Sequence, residues 1–298
     1  MPSRGILQNA TRRTIRGVRF AARYATAGAR PLPDFVILGT QRGGTTSLYN
    51  WLVSHPDVTP AFKKEPHYFD GNYHRGARWY RAHFPIGRRG RMTGESSPFL
   101  LFHPLAPERA ARDLPSRTRF LVLLRDPTER AISQYWLWRK QGNWEEETLE
   151  RAIELEQERL APMEERFRNG ERSHPHVAHS YLARGEYAEQ LQRWFDAVGR
   201  ERILVVESEQ LFSDPEAARQ ILNWLGLPPT AQPFPMANGA PRLAPAPPAL
   251  IERMDAHFLP HKGALANLLG RELWTTTPPR RTSGPGHEPD GGGPGTGD

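Results

Sequence analysis

The chain has 298 residues, 38% of them hydrophobic, and a formal net charge of +7. That length allows one large core or two small ones, and we read one domain with loose ends. Residues 1–30 hold seven arginines (4, 12, 13, 16, 19, 23 and 30) and no acid, which leaves 33 basic residues against 33 acidic ones in the rest. The body is therefore balanced, so a broad footprint for nucleic acid is not supported and any anion site must be local. No cysteine is present, which excludes disulfides, thiolate nucleophiles and Cys-ligated zinc and suits a reducing compartment. No apolar run reaches the roughly 18 residues of a membrane span. The expectation is a soluble, cytoplasmic protein.

In chain order, Arg12, Arg16, Arg19 and Arg23 follow helical spacing with Ile15, Val18 and Ala22 opposite. This pattern fits either a solvated leader or peripheral contact with an anionic membrane surface. We read residues 1–30 as a flexible basic leader, 31–274 as the folded domain and 275–298, rich in Pro and Gly, as a disordered tail. Phe35–Leu38, Phe120–Leu124 and Ile203–Val206 are short continuous apolar runs, the pattern of strands covered on both faces. Helices are predicted over 46–54, 127–139, 145–168, 187–198 and 215–225, with a further helical region over 248–269 broken near Pro260. Strands alternating with helices predict an α/β fold, a three-layer parallel sheet with helices on both faces. The Pro-rich stretch 228–248 reads as a long surface connection.

Directly after the first strand comes Gly39-Thr-Gln-Arg42-Gly43-Gly44-Thr45-Thr46, a Gly-rich turn opening a helix. The free N–H groups and positive dipole end of such a helix cradle an anion. Against the NTPase pattern G-x-x-x-x-G-K-[ST], Gly39, Gly44 and Thr46 fit, but Thr45 stands where the lysine should be. This weakens a kinase or NTPase reading without removing it. The central apolar run ends in Leu124-Arg125-Asp126-Pro127, placing Arg125 at a strand's C-terminal edge and Ser133 in the next helix. Ligands in open α/β sheets bind at such edges, and an arginine with a serine hydroxyl suits a second phosphate. The plain alternative pairs Arg125 with Asp126 or a neighbouring carboxylate.

Several segments taken in order resemble the PAPS-dependent sulfotransferases, of the heparan sulfate N- and 3-O-sulfotransferase type and their bacterial relatives. They are GTQRGGTTSLYNWLVSHPDV (39–58), KKEPHYFD (63–70) with WYRAHFP (79–85), LLRDPTERAISQYW (123–136), YLARGEYAEQLQRWF (181–195), ILVVESEQLFSDP (203–215), and HFLPHK (257–262) with LLGRELW (268–274). The resemblance makes 31–274 a sulfotransferase domain. It implies that Arg42, Gly43, Gly44, Thr45 and Thr46 hold the 5′-phosphosulfate of PAPS (3′-phosphoadenosine 5′-phosphosulfate). It places Arg125 and Ser133 on the 3′-phosphate and makes Glu65 the base, with His67 orienting Glu65 or the acceptor. A carboxylate within hydrogen-bond reach can take the proton of an attacking hydroxyl. The implied products are a sulfate ester or sulfamate and PAP (adenosine 3′,5′-bisphosphate), with a carbohydrate or other glycan acceptor and no metal. Glu65 salt-bridged to Lys63 or Lys64, and His67 as a core histidine, are the plain alternatives.

The sequence also departs from that family. Arg42 stands where lysine is usual, Ser96 where the glycan enzymes carry a lysine, and the usual Lys-Gly-Arg segment has only Arg242 as a counterpart. Lys63, Lys64, Arg75, Arg78 and Arg81 cluster near the expected acceptor side, which fits either an acidic glycan or, equally, a solvated basic face. Two competing readings stay open: a nucleotide kinase or NTPase, and a non-catalytic PAP-binding protein.

Overall fold

The structure, a computed structural model, describes residues 17–86, 91–141, 144–235 and 246–275. Five strands form one sheet: β1 (Phe35–Gly39), β2 (Val58–Pro60), β3 (Met92–Ser96), β4 (Arg119–Leu124) and β5 (Ile203–Glu207). Their order is β2-β3-β1-β4-β5, and every pairing is parallel. This is the α/β architecture expected from the alternation of apolar runs and helices.

Successive strand residues point to opposite faces, and the two inner clusters follow that parity. Val36, Leu38, Phe120, Val122 and Leu124 pack with Leu191 and Trp194 of the Tyr187–Val198 helix. Phe35, Ile37, Leu121 and Leu123 pack with Leu48 and Leu52 of the Thr45–Ser54 helix and Ile221 and Leu222 of the Pro215–Leu225 helix. A third cluster joins the Pro127–Gln141 and Pro248–Leu269 helices through Ile132, Tyr135, Leu250, Met254 and Phe258.

The predicted strands and the 187–198 and 215–225 helices match closely. Other elements correct the expectation. β2 and β3 were not anticipated, because Val58-Thr-Pro and Met92-Thr-Gly-Glu-Ser carry little apolar signal. Two of the β3 polar side chains find partners that the fold supplies: Thr93 Oγ1 donates to Thr59 O (2.9 Å), and Glu95 accepts from Tyr80 Oη (2.7 Å) and Ser97 Oγ (2.6 Å). The single helix expected over 145–168 is instead a chain of short pieces, Leu149–Glu154, Glu156–Leu160, a 3₁₀ turn at Ala161–Met163 and Glu164–Arg168. Pro162 cannot donate a helical hydrogen bond. Glu145 is pulled out of helical register to accept from Arg159 Nη1 (2.8 Å) and Tyr181 Oη (2.7 Å).

The break expected near Pro260 does not occur, and Pro248–Leu269 is one helix with Pro260 inside it. The carbonyl that Pro260 leaves without a helical donor belongs to Ala256, an exposed residue. Burial of Leu250, Met254, Phe258 and Leu265 holds the helix through the proline. Within the expected leader, residues 17–25 are helical. Phe20 packs on Phe62, Trp79 and His83, and the Arg23 guanidinium donates to the carbonyls of Ala82 (2.7 Å), His83 (3.2 Å) and Phe84 (2.7 Å). Arg23 thus turns into the body, while Val18 and Ala22 are exposed. Arg12, Arg16 and the expected tail from 276 onward lie outside the described residues.

Two adjacent residues of the last helix test this packing. Phe258 is 0% exposed and Leu259 70% exposed. Phe258→Ala should therefore destabilise the chain by roughly 3–5 kcal/mol, and Leu259→Ala by less than about 0.5 kcal/mol, as read from urea unfolding midpoints.

Candidate active site at the β1–β4 switch point

From β1 the chain crosses to β2 on one side, and from β4 it crosses to β5 on the other, so the crossovers diverge between β1 and β4. The C-terminal ends of those two strands therefore open into the crevice where α/β sheets bind ligands. β1 ends at Gly39. Thr40 N then donates to Leu123 O of β4 (2.7 Å), and Gly43 N closes a turn onto Thr40 O (2.9 Å). A Cβ on Gly43 would lie 2.9 Å from Leu123 O, and one on Gly44 would lie 2.4 Å from the Phe212 ring. Gly44 also has φ +89°, a backbone conformation that glycine adopts without a Cβ penalty. The loop can approach β4 and the Phe212 ring only as Gly-Gly. It opens the Thr45–Ser54 helix, which no side chain caps, and uncapped first-turn N–H groups are the donors an anion site needs.

The loop is also held from behind. Arg184, buried over the rings of Phe99 and Phe102, donates to Gln41 Oε1 of the loop and to the carbonyls of His176 (2.7 Å) and Val177 (3.0 Å). Ser208 Oγ donates to Gly43 O (2.7 Å). Neither residue was singled out from sequence. Each lies far along the chain, and their only local signal is that they sit within the family-like runs 181–195 and 203–215.

The two expected phosphate grips meet. Arg42 Nε donates to Ser133 Oγ (2.9 Å), and Arg125 Nη1 donates to Arg42 O (3.2 Å). Ser133 accepts from Arg42 and keeps its own O–H proton to donate. Arg125 also pairs with Glu129 (3.5 Å), the neighbouring-carboxylate pairing anticipated as the plain alternative. Tyr187 Oη holds the Arg125 carbonyl (2.9 Å), and Lys262 Nζ pairs with the adjacent Asp126 (2.7 Å). Burial, and then the positive charge of Arg125, push the Arg42 guanidinium below its usual range. Two cations share this edge.

Across the loop stands the Lys63–Asp70 segment, fixed to the end of β3 by Ser96 N donating to Lys64 O (3.0 Å). Lys64 Nζ donates both to Thr46 Oγ1 (2.7 Å) and to Glu65 Oε1 (2.7 Å), joining the phosphate loop to the carboxylate through one ammonium group. His67 lies with Nε2 3.5 Å from Glu65 Oε2 and Nδ1 2.8 Å from Asp70 Oδ2. Its backbone N–H reaches Ser97 Oγ (3.3 Å), and Asn72 Nδ2 holds the carbonyls of Pro66 (3.0 Å) and His67 (3.1 Å). Asp70 was not proposed from sequence, although its place three residues after His67 was the available signal.

Burial opposes ionisation of Glu65, but hydrogen bonds with His67 and Lys64 outweigh it and bring the carboxyl down to about 2. Burial likewise opposes the imidazolium of His67, but hydrogen bonds with Asp70 and Glu65 raise it to about 10. Of the five basic residues expected on the acceptor side, Lys64 reaches the phosphate loop. Arg78 stacks on Tyr24, Arg81 Nη1 donates to Arg30 O (2.7 Å) and Arg75 lies over Trp79. Those three arginines support the N-terminal segment and its surroundings, which corrects the expected basic acceptor face. Arg242 lies outside the described residues.

The sign of the His67 contribution follows from its shift. It is fully present below its ordinary value of 6.5 and is lost as pH rises through about 10. The Glu65 contribution is present above 4.5 and is lost as pH falls through about 2. The stability difference between the unaltered chain and His67→Gln should therefore be level between those ordinary values and shrink as pH climbs toward 10. Urea unfolding across that range would show it, and a difference that stayed level to pH 10 would contradict the ion pairing.

The sequence model of the family described as "Sulfotransferase domain" matches residues 32–236. The mouse heparan sulfate glucosamine 3-O-sulfotransferase 3B1 is 34% identical over 206 residues, 68% of this chain and 48% of that protein. The human heparan sulfate glucosamine 3-O-sulfotransferase 6 is 34% identical over 201 residues, 67% of this chain and 54% of that protein. The chain thus spans about half the length of the curated relatives it matches. Among solved structures, a sulfotransferase from Alicyclobacillus acidocaldarius superposes with a TM-score of 0.64 at 29% identity, covering 82% of this chain and 98% of that one. Gly-rich loop, β4-edge arginine and Lys-Glu-Pro-His segment all fall within the matched residues, and the chain belongs to the sulfotransferase family.

Proposed function

We propose that this chain transfers the sulfuryl group of PAPS to a hydroxyl or amine of an acceptor, a carbohydrate or glycoconjugate, and releases PAP. The observation that carries the reading is the Lys64 bridge, because it places a carboxylate one ammonium away from the N-terminal turn of the phosphate loop. The acceptor O–S (or N–S) bond forms as the S–O bond to the 5′-phosphate breaks, and Glu65 takes the acceptor proton.

Each part of the chain has a role in this reading. The first-turn N–H groups of Thr45 and Thr46, with Arg42, receive the 5′-phosphosulfate. Arg125 and Ser133 receive the 3′-phosphate. Arg42 is a fixed cation that stabilises charge on the leaving phosphate but, being arginine, is not suited to give up a proton. Lys64 holds Glu65 ionised in the resting site. When the sulfuryl group draws the ammonium toward itself, Glu65 loses that partner and becomes a stronger base at the moment the acceptor proton must move. His67, held by Asp70, keeps the carboxylate oriented. The glycan acceptor rests on the names of the 3-O-sulfotransferase relatives, and the PAPS donor on the family together with the two phosphate grips.

The NTPase reading loses ground on a second count beyond Thr45. The Thr46 hydroxyl, which in that family would sit on magnesium, here accepts from the Lys64 ammonium. A magnesium ion at that oxygen would face a positive neighbour.

Glu65→Gln should lower transfer from PAPS by about 10²–10⁴-fold while leaving PAP binding intact, measured by product formation and by calorimetric titration; unaltered turnover would exclude Glu65 as the base. Arg125→Ala should weaken PAP by about tenfold or more and AMP much less, since only PAP carries the 3′-phosphate. Titration of the unaltered chain with PAP and with magnesium-ATP separates the two donor classes, and a preference for magnesium-ATP would overturn the sulfotransferase activity.

A further inference from the structure

The sequence offered no metal-ligating cluster, but the fold assembles one away from the transfer site. Glu186, His257 and His261 bring one ligand atom each to within 4.8 Å of one another. Glu186 Oε1 lies 3.1 Å from His257 Nε2 and 3.7 Å from His261 Nε2. For a tetrahedral ion with ligand bonds of about 2.0–2.1 Å, neighbouring ligand atoms stand roughly 3.3–3.4 Å apart. The two separations straddle that value. We propose that Glu186, His257 and His261 form a zinc site.

The placement follows from local structure. His257 and His261 are four residues apart on the Pro248–Leu269 helix, the spacing that puts two imidazoles on one helical face as a metal-binding pair. Glu186 stands immediately before the Tyr187–Val198 helix, and its side chain makes no capping hydrogen bond to it. The two helices meet there because Gly185 has no side chain: a Cβ on it would lie 2.7 Å from the Phe258 ring. Phe258, fully buried against this gap, sets the depth of its neighbour His257 relative to Glu186.

The donor set is chemically suited to zinc. Two neutral imidazoles and a carboxylate are three of four ligands of a tetrahedral zinc ion, with a fourth position for water. Each of the three residues is about one third exposed, at 35%, 36% and 35% for His257, His261 and Glu186, so an ion and its water can reach them. Among the described residues, no lysine or arginine is paired with the Glu186 carboxylate. Lys262, the next residue, is committed to Asp126. Three other histidine–carboxylate pairs differ in this respect. Glu145, beside His179, is taken by Arg159, Glu164, beside His176, by Arg168, and Glu65, beside His67, by Lys64.

The ion would clamp the Pro248–Leu269 helix to the start of the Tyr187–Val198 helix. Those helices also carry Lys262, paired with Asp126, and Tyr187, bonded to the Arg125 carbonyl. The clamp therefore lies behind the Arg125 edge without touching the reacting groups, and its role is structural.

The test uses the full chain free of any histidine tag, depleted of metal by a chelator and then titrated calorimetrically with zinc chloride and, separately, magnesium chloride. One equivalent of zinc should bind and magnesium should not. His261→Ala should weaken zinc by more than the roughly 10–100-fold that loss of an outer-shell partner costs. Cobalt(II) should give the visible absorption of a tetrahedral site in the unaltered chain and lose it in the variant. His261 is partly exposed, so the variant should fold, as circular dichroism will confirm; His257→Ala serves as a second variant. No one-to-one zinc binding by the unaltered chain, or equal affinity in both variants, would overturn the site.

Discussion

The site depends on one close approach, the phosphate loop lying against the end of β4. Thr40 N bonds to Leu123 O, and Gly43 sits where any side chain would strike that same carbonyl. This contact brings the end of β1 and the end of β4 together. Because of it, Arg125 reaches the carbonyl of Arg42, and Arg42 reaches Ser133 on the helix that follows β4. The loop then depends on partners recruited from distant sequence, Arg184 on Gln41 and Ser208 on Gly43. Such backing matters because N–H groups of the first helical turn can receive an anion only if no protein group takes them.

The carboxylate side is built by a different principle. Its residues are nearly consecutive, but their positions are fixed by β3, through Ser96 to Lys64 and through Ser97 to His67. Behind them Glu95 is fully buried, and burial pushes its carboxyl up to about 7 against the opposing hydrogen bonds from Ser97 and Tyr80. The polar strand β3 is therefore a supporting bracket for the site. A more apolar strand would pack as well but would leave Ser97, and with it the His67 backbone, without its anchor.

How much of this was legible in the sequence depends on where the information lay. Strands β1, β4 and β5 are covered on both faces, so continuous apolar runs announced them. Helices 187–198 and 215–225 carry the apolar face of ordinary surface helices. β2 and β3 gave no such signal, because their stability comes from partners such as Thr59 O and Tyr80 Oη that only the fold supplies. Pro260 was read as a break because proline opposes helix continuation locally; burial of Phe258 and Leu265 on either side overrides that preference. At the candidate site, Glu65, His67, Arg42 and Arg125 could be proposed from sequence because they stand in short motifs. The linkage of Lys64 to Thr46 was not, since it spans 18 residues and two elements. The basic residues 75, 78 and 81 were misplaced for the same reason, because charge in sequence does not say which surface it faces.

Arg42 and Arg125 stand side by side at the β4 edge, and their positive charges exert a mutual repulsion. Any anion that settles between them relieves it, whether or not it carries an adenosine. Inorganic phosphate or sulfate should therefore compete for this edge, and rising ionic strength should screen the same attraction wherever the pair is open to solvent. If the two arginines grip a nucleotide as proposed, its affinity is a property of the surroundings as well as of the site: they would hold it tightly in dilute buffer and more loosely in an anion-rich one.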